Sequence, residues 1–117
     1  MTQAPLVTIV ETAAYLAEAR KAMTEEERRG VVDLIAADPT CGDLIVGGGG
    51  IRKVRYAIGH RGKSGGVRVI YYFHSEAYPA FLLTLFAKNE RANLSTGEVN
   101  ELGQLAKLLC RKYGAER

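Results

Sequence analysis

Residues Gly47–Phe73 read GGGGIRKVRYAIGHRGKSGGVRVIYYF, and the fold turns on how this stretch divides. Four glycines open it. Two runs with period-two patterning follow, Ile51–Ile58 and Val67–Phe73, joined by the Gly-rich basic loop His60–Gly66. A period of two marks a strand whose side chains alternate between two faces. In the first run Arg52, Val54, Tyr56 and Ile58 share the core-bound face, and Lys53 and Arg55 share the other. In the second, Val67, Val69, Tyr71 and Phe73 oppose Arg68, Ile70, Tyr72 and His74. The stretch holds six cations (Arg52, Lys53, Arg55, Arg61, Lys63 and Arg68) and no carboxylate. Strands fix side-chain direction, so this charge is aimed rather than dispersed.

Working outward, Ala80–Ala87 is a strongly apolar third strand, and Lys88-Asn89-Glu90-Arg91 returns charge to the sheet's edge. Val7–Val10 is a short β-branched run that predicts a first strand. Thr12 predicts the cap of a helix over Ala13–Ala22. Thr24-Glu25-Glu26-Glu27 fits a capping box, with its acids at the positive end of the helix dipole. Val31, Leu34 and Ile35 give that second helix its buried stripe, and Asp38-Pro39 ends it. Ser95-Thr96-Gly97-Glu98 opens a last amphipathic helix through Val99, Leu102, Leu105, Ala106 and Leu109 as far as Tyr113, with Gly114 as its stop. Thr40–Gly50 reads as a loop that turns widely into the strand at Ile51. The run Gly47–Gly50 is not followed directly by Gly-Lys-Ser/Thr and a helix, which excludes a nucleotide P-loop. The expected fold is α+β, one domain over residues 1–117: an antiparallel sheet with an N-terminal helical hairpin and a C-terminal helix.

The formal net charge of +3 conceals an asymmetry. Residues 1–43 carry four cations against eight carboxylates, residues 44–75 six cations and no acid, and residues 76–117 six cations against five acids. Clustering of this kind is the footprint of a polyanion binder. The apolar run around Ala77–Ala87 is too short to span a bilayer. The N-terminal MTQAPLVTIVET lacks the basic start and long apolar run of a secretion signal, so the expected location is cytoplasmic. Cys41 and Cys110 have no partner at metal-ligand spacing and read as free thiols.

The succession GGGGIRKVRYAIGHRGKSGGVRVIYYF, then LLTLFAKNE, then the LS-x-x-E helix start, resembles the RelE/HigB-type toxins of bacterial type II toxin–antitoxin pairs. It covers about Val7 to Tyr113. The resemblance implies a small basic α+β protein with a curved antiparallel sheet. It implies a ribosome-dependent mRNA endoribonuclease that cuts the message in the A site and inhibits translation, neutralised by a cognate antitoxin. By position, Lys53 and Arg55 occupy the family's basic strand, Arg68 opens the R-V-I-Y-Y strand, and Lys88 lies in the basic turn after the last strand. Phe86 stands where many relatives show Tyr, and Asn89 where some carry a second cation. The wider superfamily includes ParE-type gyrase poisons, which are not nucleases.

The chemistry expected is attack of an RNA 2′-hydroxyl on the adjacent phosphate. Like charges around a lysine favour its neutral form, which makes Lys53 the candidate base. Arginine keeps its proton, so Arg55 and Arg68 are charge stabilisers, and Lys88 is the candidate acid or a further phosphate contact. Arg61, Lys63, Arg91 and the ring of Tyr72 are the candidate RNA contacts. Arg52 reads as structural and His74 as an exposed histidine at a strand end. No cofactor or metal is expected, since His60 and His74 have no matching Cys or acid cluster. The rival readings are a gyrase inhibitor, an RNA binder without chemistry, and an interaction domain whose basic face docks an acidic partner.

Overall fold

The computed structural model describes residues 6–59 and 66–115. Its elements are β1 (Ile9–Glu11), α1 (Ala13–Ala22), α2 (Glu25–Ala37), β2 (Asp43–Leu44), β3 (Ile51–Tyr56), β4 (Val67–Tyr72), β5 (Ala80–Ala87) and α3 (Thr96–Ala115). The strands form one sheet in the order β1-β5-β4-β3-β2. The α+β class, the N-terminal helical hairpin and the C-terminal helix are as expected. The sheet departs from the expectation at one edge: β2 through β5 are antiparallel, but β1 runs parallel to β5. The reason lies in connectivity. β1 leads directly into α1, and Thr12, the α1 cap, donates its hydroxyl to the Leu82 carbonyl at 2.7 Å, which ties the start of the helix to β5.

The capping residues act as their sequence predicts. Thr24 and Glu27 exchange hydrogen bonds of 3.1 and 2.9 Å at the start of α2. Ser95 and Glu98 do the same at 3.2 and 2.9 Å for α3. Gly114 does not end α3, which runs one residue further.

The helices take opposite faces of the sheet. Tyr15, Ala19, Val31 and Ile35 of α1 and α2 pack on Val67, Val69, Tyr71, Leu82 and Leu85. Val99 and Ala106 of α3 pack on Ile51, Ile70, Tyr72, Phe81, Leu83 and Phe86. The β5 side chains change parity midway. Ile70 pairs with Thr84 but Tyr71 with Leu82, so Leu83 is an extra residue in β5. A bulge of this kind reverses the facing of everything beyond it. Leu82 and Leu85 therefore share the α1/α2 face, while Leu83 and Phe86 share the α3 face.

The hairpin from β2 to β3 is held against α3 by two glycines. A Cβ on Gly103 would lie 2.7 Å from the Gly48 carbonyl oxygen, so the helix approaches the hairpin tip more closely than any other residue would permit. Gly→Ala inside a helix ordinarily stabilises by about 1 kcal/mol. Here Gly103→Ala is expected to lower stability by about 1–3 kcal/mol through overpacking. Thermal unfolding of the variant checks the sign.

Candidate nucleic-acid interface

Alternation along β3 and β4 places Lys53, Arg55 and Arg68 on the α3 face of the sheet. Arg55 and Arg68 are direct cross-strand partners, and Lys53 lies two residues from Arg55, opposite Ile70. Side chains directly opposite stand about 4.5–5.5 Å apart at Cβ, and residues two apart along a strand about 7 Å. The three cations thus start from one small area of one face. Like charges directly opposite oppose sheet pairing by roughly 0.2–1 kcal/mol, a cost that an anion between them reverses. Arg55 is exposed, while Lys53 and Arg68 are half-buried.

One neighbour escaped sequence reasoning. Asp43 of β2 pairs with Lys53, which brings a carboxylate to the edge of a face that appears purely basic along the chain. The two-residue β2, inside what reads as a loop, carries no alternation long enough to reveal it.

Because of the β5 bulge, Phe86 is the cross-strand partner of Arg68. The Arg91 guanidinium sits 5.2 Å from the Phe86 ring centroid, in cation–π geometry. It also grips Glu98 at two points, Nη1 to Oε2 at 3.0 Å and Nη2 to Oε1. Arg91 therefore braces the start of α3 against the end of β5, and the expectation that its guanidinium serves RNA must contend with this engagement. Its Nε donates to the Asn93 carbonyl at 3.3 Å, and the Asn93 side chain accepts from Lys53 Nζ at 3.3 Å. The brace thus reaches the candidate base through one residue.

Arg91, then the Ser95 amide, hold the Glu98 carboxyl down to about 2. An acid depressed in the folded state contributes stability above its ordinary value near 4.3, and that contribution is lost as pH falls toward about 2. The brace is therefore intact at every pH where the protein is expected to work. Carbon-detected NMR titration should place Glu98 far below the other glutamates, and Arg91→Ala should return it toward the ordinary range.

The remaining candidates divide. Tyr72 shares the face as expected, but only 7 % of it is exposed, because α3 covers that end of the sheet. Its ring stacks with that of His74, with centroids 6.4 Å apart. His74 is exposed, as expected, and meets Tyr78 edge-on at 5.2 Å. Lys88 is exposed in the turn after β5, and its amide donates to the Gly66 carbonyl at 3.2 Å, beside the entrance of β4. Arg61 and Lys63 lie outside the described residues.

The profile of the family described as "RelE toxin of RelE / RelB toxin-antitoxin system" matches residues 9–116. The chain belongs to the RelE toxin family. Among solved structures, it is similar to a mutant of the E. coli toxin RelE in its free state, with 16% sequence identity and a TM-score of 0.55. That match covers 84% of this chain and 94% of the other and speaks to the fold alone. The protein is thus a toxin of a toxin–antitoxin system. No helix among its described residues is long and apolar enough to cross a membrane.

The toxin's cationic face rests on a firm support behind it. The Tyr71 hydroxyl accepts from the Gly42 amide and donates to the Pro39 carbonyl, both at 2.8 Å. Arg52 Nη1 donates to the Gly42 carbonyl at 2.7 Å. Arg52 is therefore structural, as its position in the pattern implies: it and Tyr71 fix the 39–42 loop that delivers β2 and Asp43 to the edge of the face.

Proposed function

We infer that this toxin is a ribosome-dependent mRNA endoribonuclease that cuts the message in the A site and so inhibits translation. The observation that carries the reading is the convergence of Lys53, Arg55 and Arg68 on one sheet face, with Arg55 directly opposite Arg68. Fixed positive charge at that point meets the chief need of phosphodiester cleavage, stabilisation of the charge that builds on the phosphate oxygens. Lys53 takes the proton of the 2′-hydroxyl, whose oxygen then attacks phosphorus. The bond to the 5′-oxygen breaks, leaving a 2′,3′-cyclic phosphate. Lys88, exposed beyond β5, is the candidate donor of the proton to the leaving oxygen. Arg55 and Arg68 hold the phosphate oxygens, and Arg61 and Lys63 are assigned to the RNA backbone from their place in the basic loop.

The partners follow from the same face. Message and ribosomal RNA supply the polyanion, and a cognate antitoxin supplies an acidic or amphipathic segment that covers the cations or a sheet edge. The location assigned is the cytoplasm, where ribosomes translate. Induced expression followed by mapping of message ends tests the activity. The expected result is discrete cuts within translated reading frames, absent when ribosomes are removed. Stalled DNA breaks with intact message would instead identify a ParE-like gyrase inhibitor. Ribosome binding is further expected to weaken steeply with salt, as several phosphate contacts require.

A further inference from the structure

A cavity of about 300 Å³ opens beside Lys53, between the tip of the β2–β3 hairpin and the start of α3. Its walls are unlike the basic face next to it. Ile45 and Val46 line one side, Leu94 and Val99 the other, and the amides of Asn93 and Asn100 stand among them. Lys53 is the one charged side chain in this lining.

Both walls are held in place. The hairpin side turns at Gly47, whose φ of +79° is a conformation other residues rarely adopt, and rests on α3 through the Gly48–Gly103 contact. The opposite side is fixed by Arg91, which binds both the Asn93 carbonyl and Glu98. Val46, also in the lining, is an aliphatic side chain left 96 % exposed by the described residues.

We propose that this cavity receives a nucleobase of the RNA whose phosphate the cations hold, and that it thereby sets which nucleotide flanks the cut. The proposal rests on the reading of this chain as an RNA-cleaving toxin. A nucleotide is divided as the site is: an anionic phosphate beside a neutral, flat base with polar edges. Lys53 meets the first, and the apolar walls and the two amides meet the second. Unpaired bases are recognised in this manner, by packing on their faces and hydrogen bonds to their edges. The volume lies at the small end of ligand sites, which run from about 300 to 1,000 Å³. Lys53 Nζ already bonds Asn93 Oδ1, so occupancy of the cavity and placement of the lysine are linked.

The test is methyl NMR of the isolated toxin, titrated separately with the four nucleoside 3′-monophosphates and with ribose 5-phosphate. Nucleotides are expected to shift the Ile45, Val46, Leu94 and Val99 methyls, with one base preferred. Ribose 5-phosphate should leave these methyls in place. Asn100→Ala should weaken the preferred nucleotide about tenfold, and Asn100→Gln should restore part of the loss. Equal responses to nucleotides and ribose 5-phosphate, or no methyl response to any of them, would overturn the proposal. So would nucleotide-induced shifts confined to the exposed face of α1 and α2. Message mapping separates the two layers. Cuts by the wild type whose flanking preference is the same in Asn100→Ala would sink the base pocket and leave the nuclease standing. Intact message with base-dependent methyl shifts would sink the nuclease and leave the pocket.

Discussion

Arg68→Ala is expected to slow cleavage of ribosome-bound message by about 10²–10³-fold, the effect typical of removing one preorganised donor from a developing oxyanion. The position explains the size. Arg68 stands opposite Arg55 at the centre of the cationic face, so its loss halves the charge directly across the ladder. The apolar core should be spared. The side chain is half-buried but not part of either apolar cluster, and removing one of two facing like charges relieves repulsion worth roughly 0.2–1 kcal/mol. Arg68→Lys should recover a fraction of the rate, because a point charge replaces a fork that can engage two phosphate oxygens. Quantitative primer extension on ribosome complexes, beside thermal unfolding of each variant, reads both quantities. A variant that unfolds at the wild-type temperature and cuts at the wild-type rate contradicts the assignment.

Tyr71→Phe should do the reverse, leaving the chemistry and weakening the fold. The ring is fully buried, and its hydroxyl satisfies both the Gly42 amide and the Pro39 carbonyl. A buried polar group left without a partner costs about 1–3 kcal/mol. With two such groups the melting temperature should fall by at least roughly 10 °C, scaling from about 4–8 °C per kcal/mol for domains somewhat smaller than this one. Burial, ahead of other causes, pushes the Tyr71 phenol well above its ordinary value near 10. For a group that is neutral below its pKa and raised in the folded state, the stabilisation is present below about 10 and is lost as pH rises above it. Wild type should therefore lose stability in strong alkali by a route that Tyr71→Phe lacks. Cleavage measured well below the melting temperature should stay near wild type, since no cation on the α3 face moves.

The sequence discloses the parts of this molecule governed by local rules. Period-two patterning places β3 and β4 within two residues of their ends, and a continuous apolar run places β5 over its full length. The two capping boxes locate the starts of α2 and α3, because each depends on groups only three residues apart. The facing of Lys53, Arg55 and Arg68 follows from the same alternation, and the register then brings Arg55 against Arg68.

What escapes local reading depends on tertiary context. A two-residue strand such as β2 has no period, so Asp43 reads as loop until β3 is there to pair with it. The parallel setting of β1 depends on a partner about seventy residues away. The bulge at Leu83 sits inside a run apolar at nearly every position, where alternation gives no signal of a slip, and it alone puts Phe86 beside Arg68. Tyr72 lies on the predicted face, but the length of that face left open is decided by α3. Arg91 reads as a free cation because its partner, Glu98, belongs visibly to a capping box and serves both roles at once.

The central claim is that Lys53, Arg55 and Arg68 surround one scissile linkage. Its most direct test is the structure of the toxin on a ribosome carrying message methylated at the reactive 2′-oxygen, which blocks attack but leaves the phosphate in place. The account predicts one phosphate within hydrogen-bond reach of both Arg55 and Arg68, with Lys53 Nζ beside the methylated oxygen. A message bound elsewhere on the toxin, or the three side chains contacting separate phosphates with none at the reactive linkage, would contradict it.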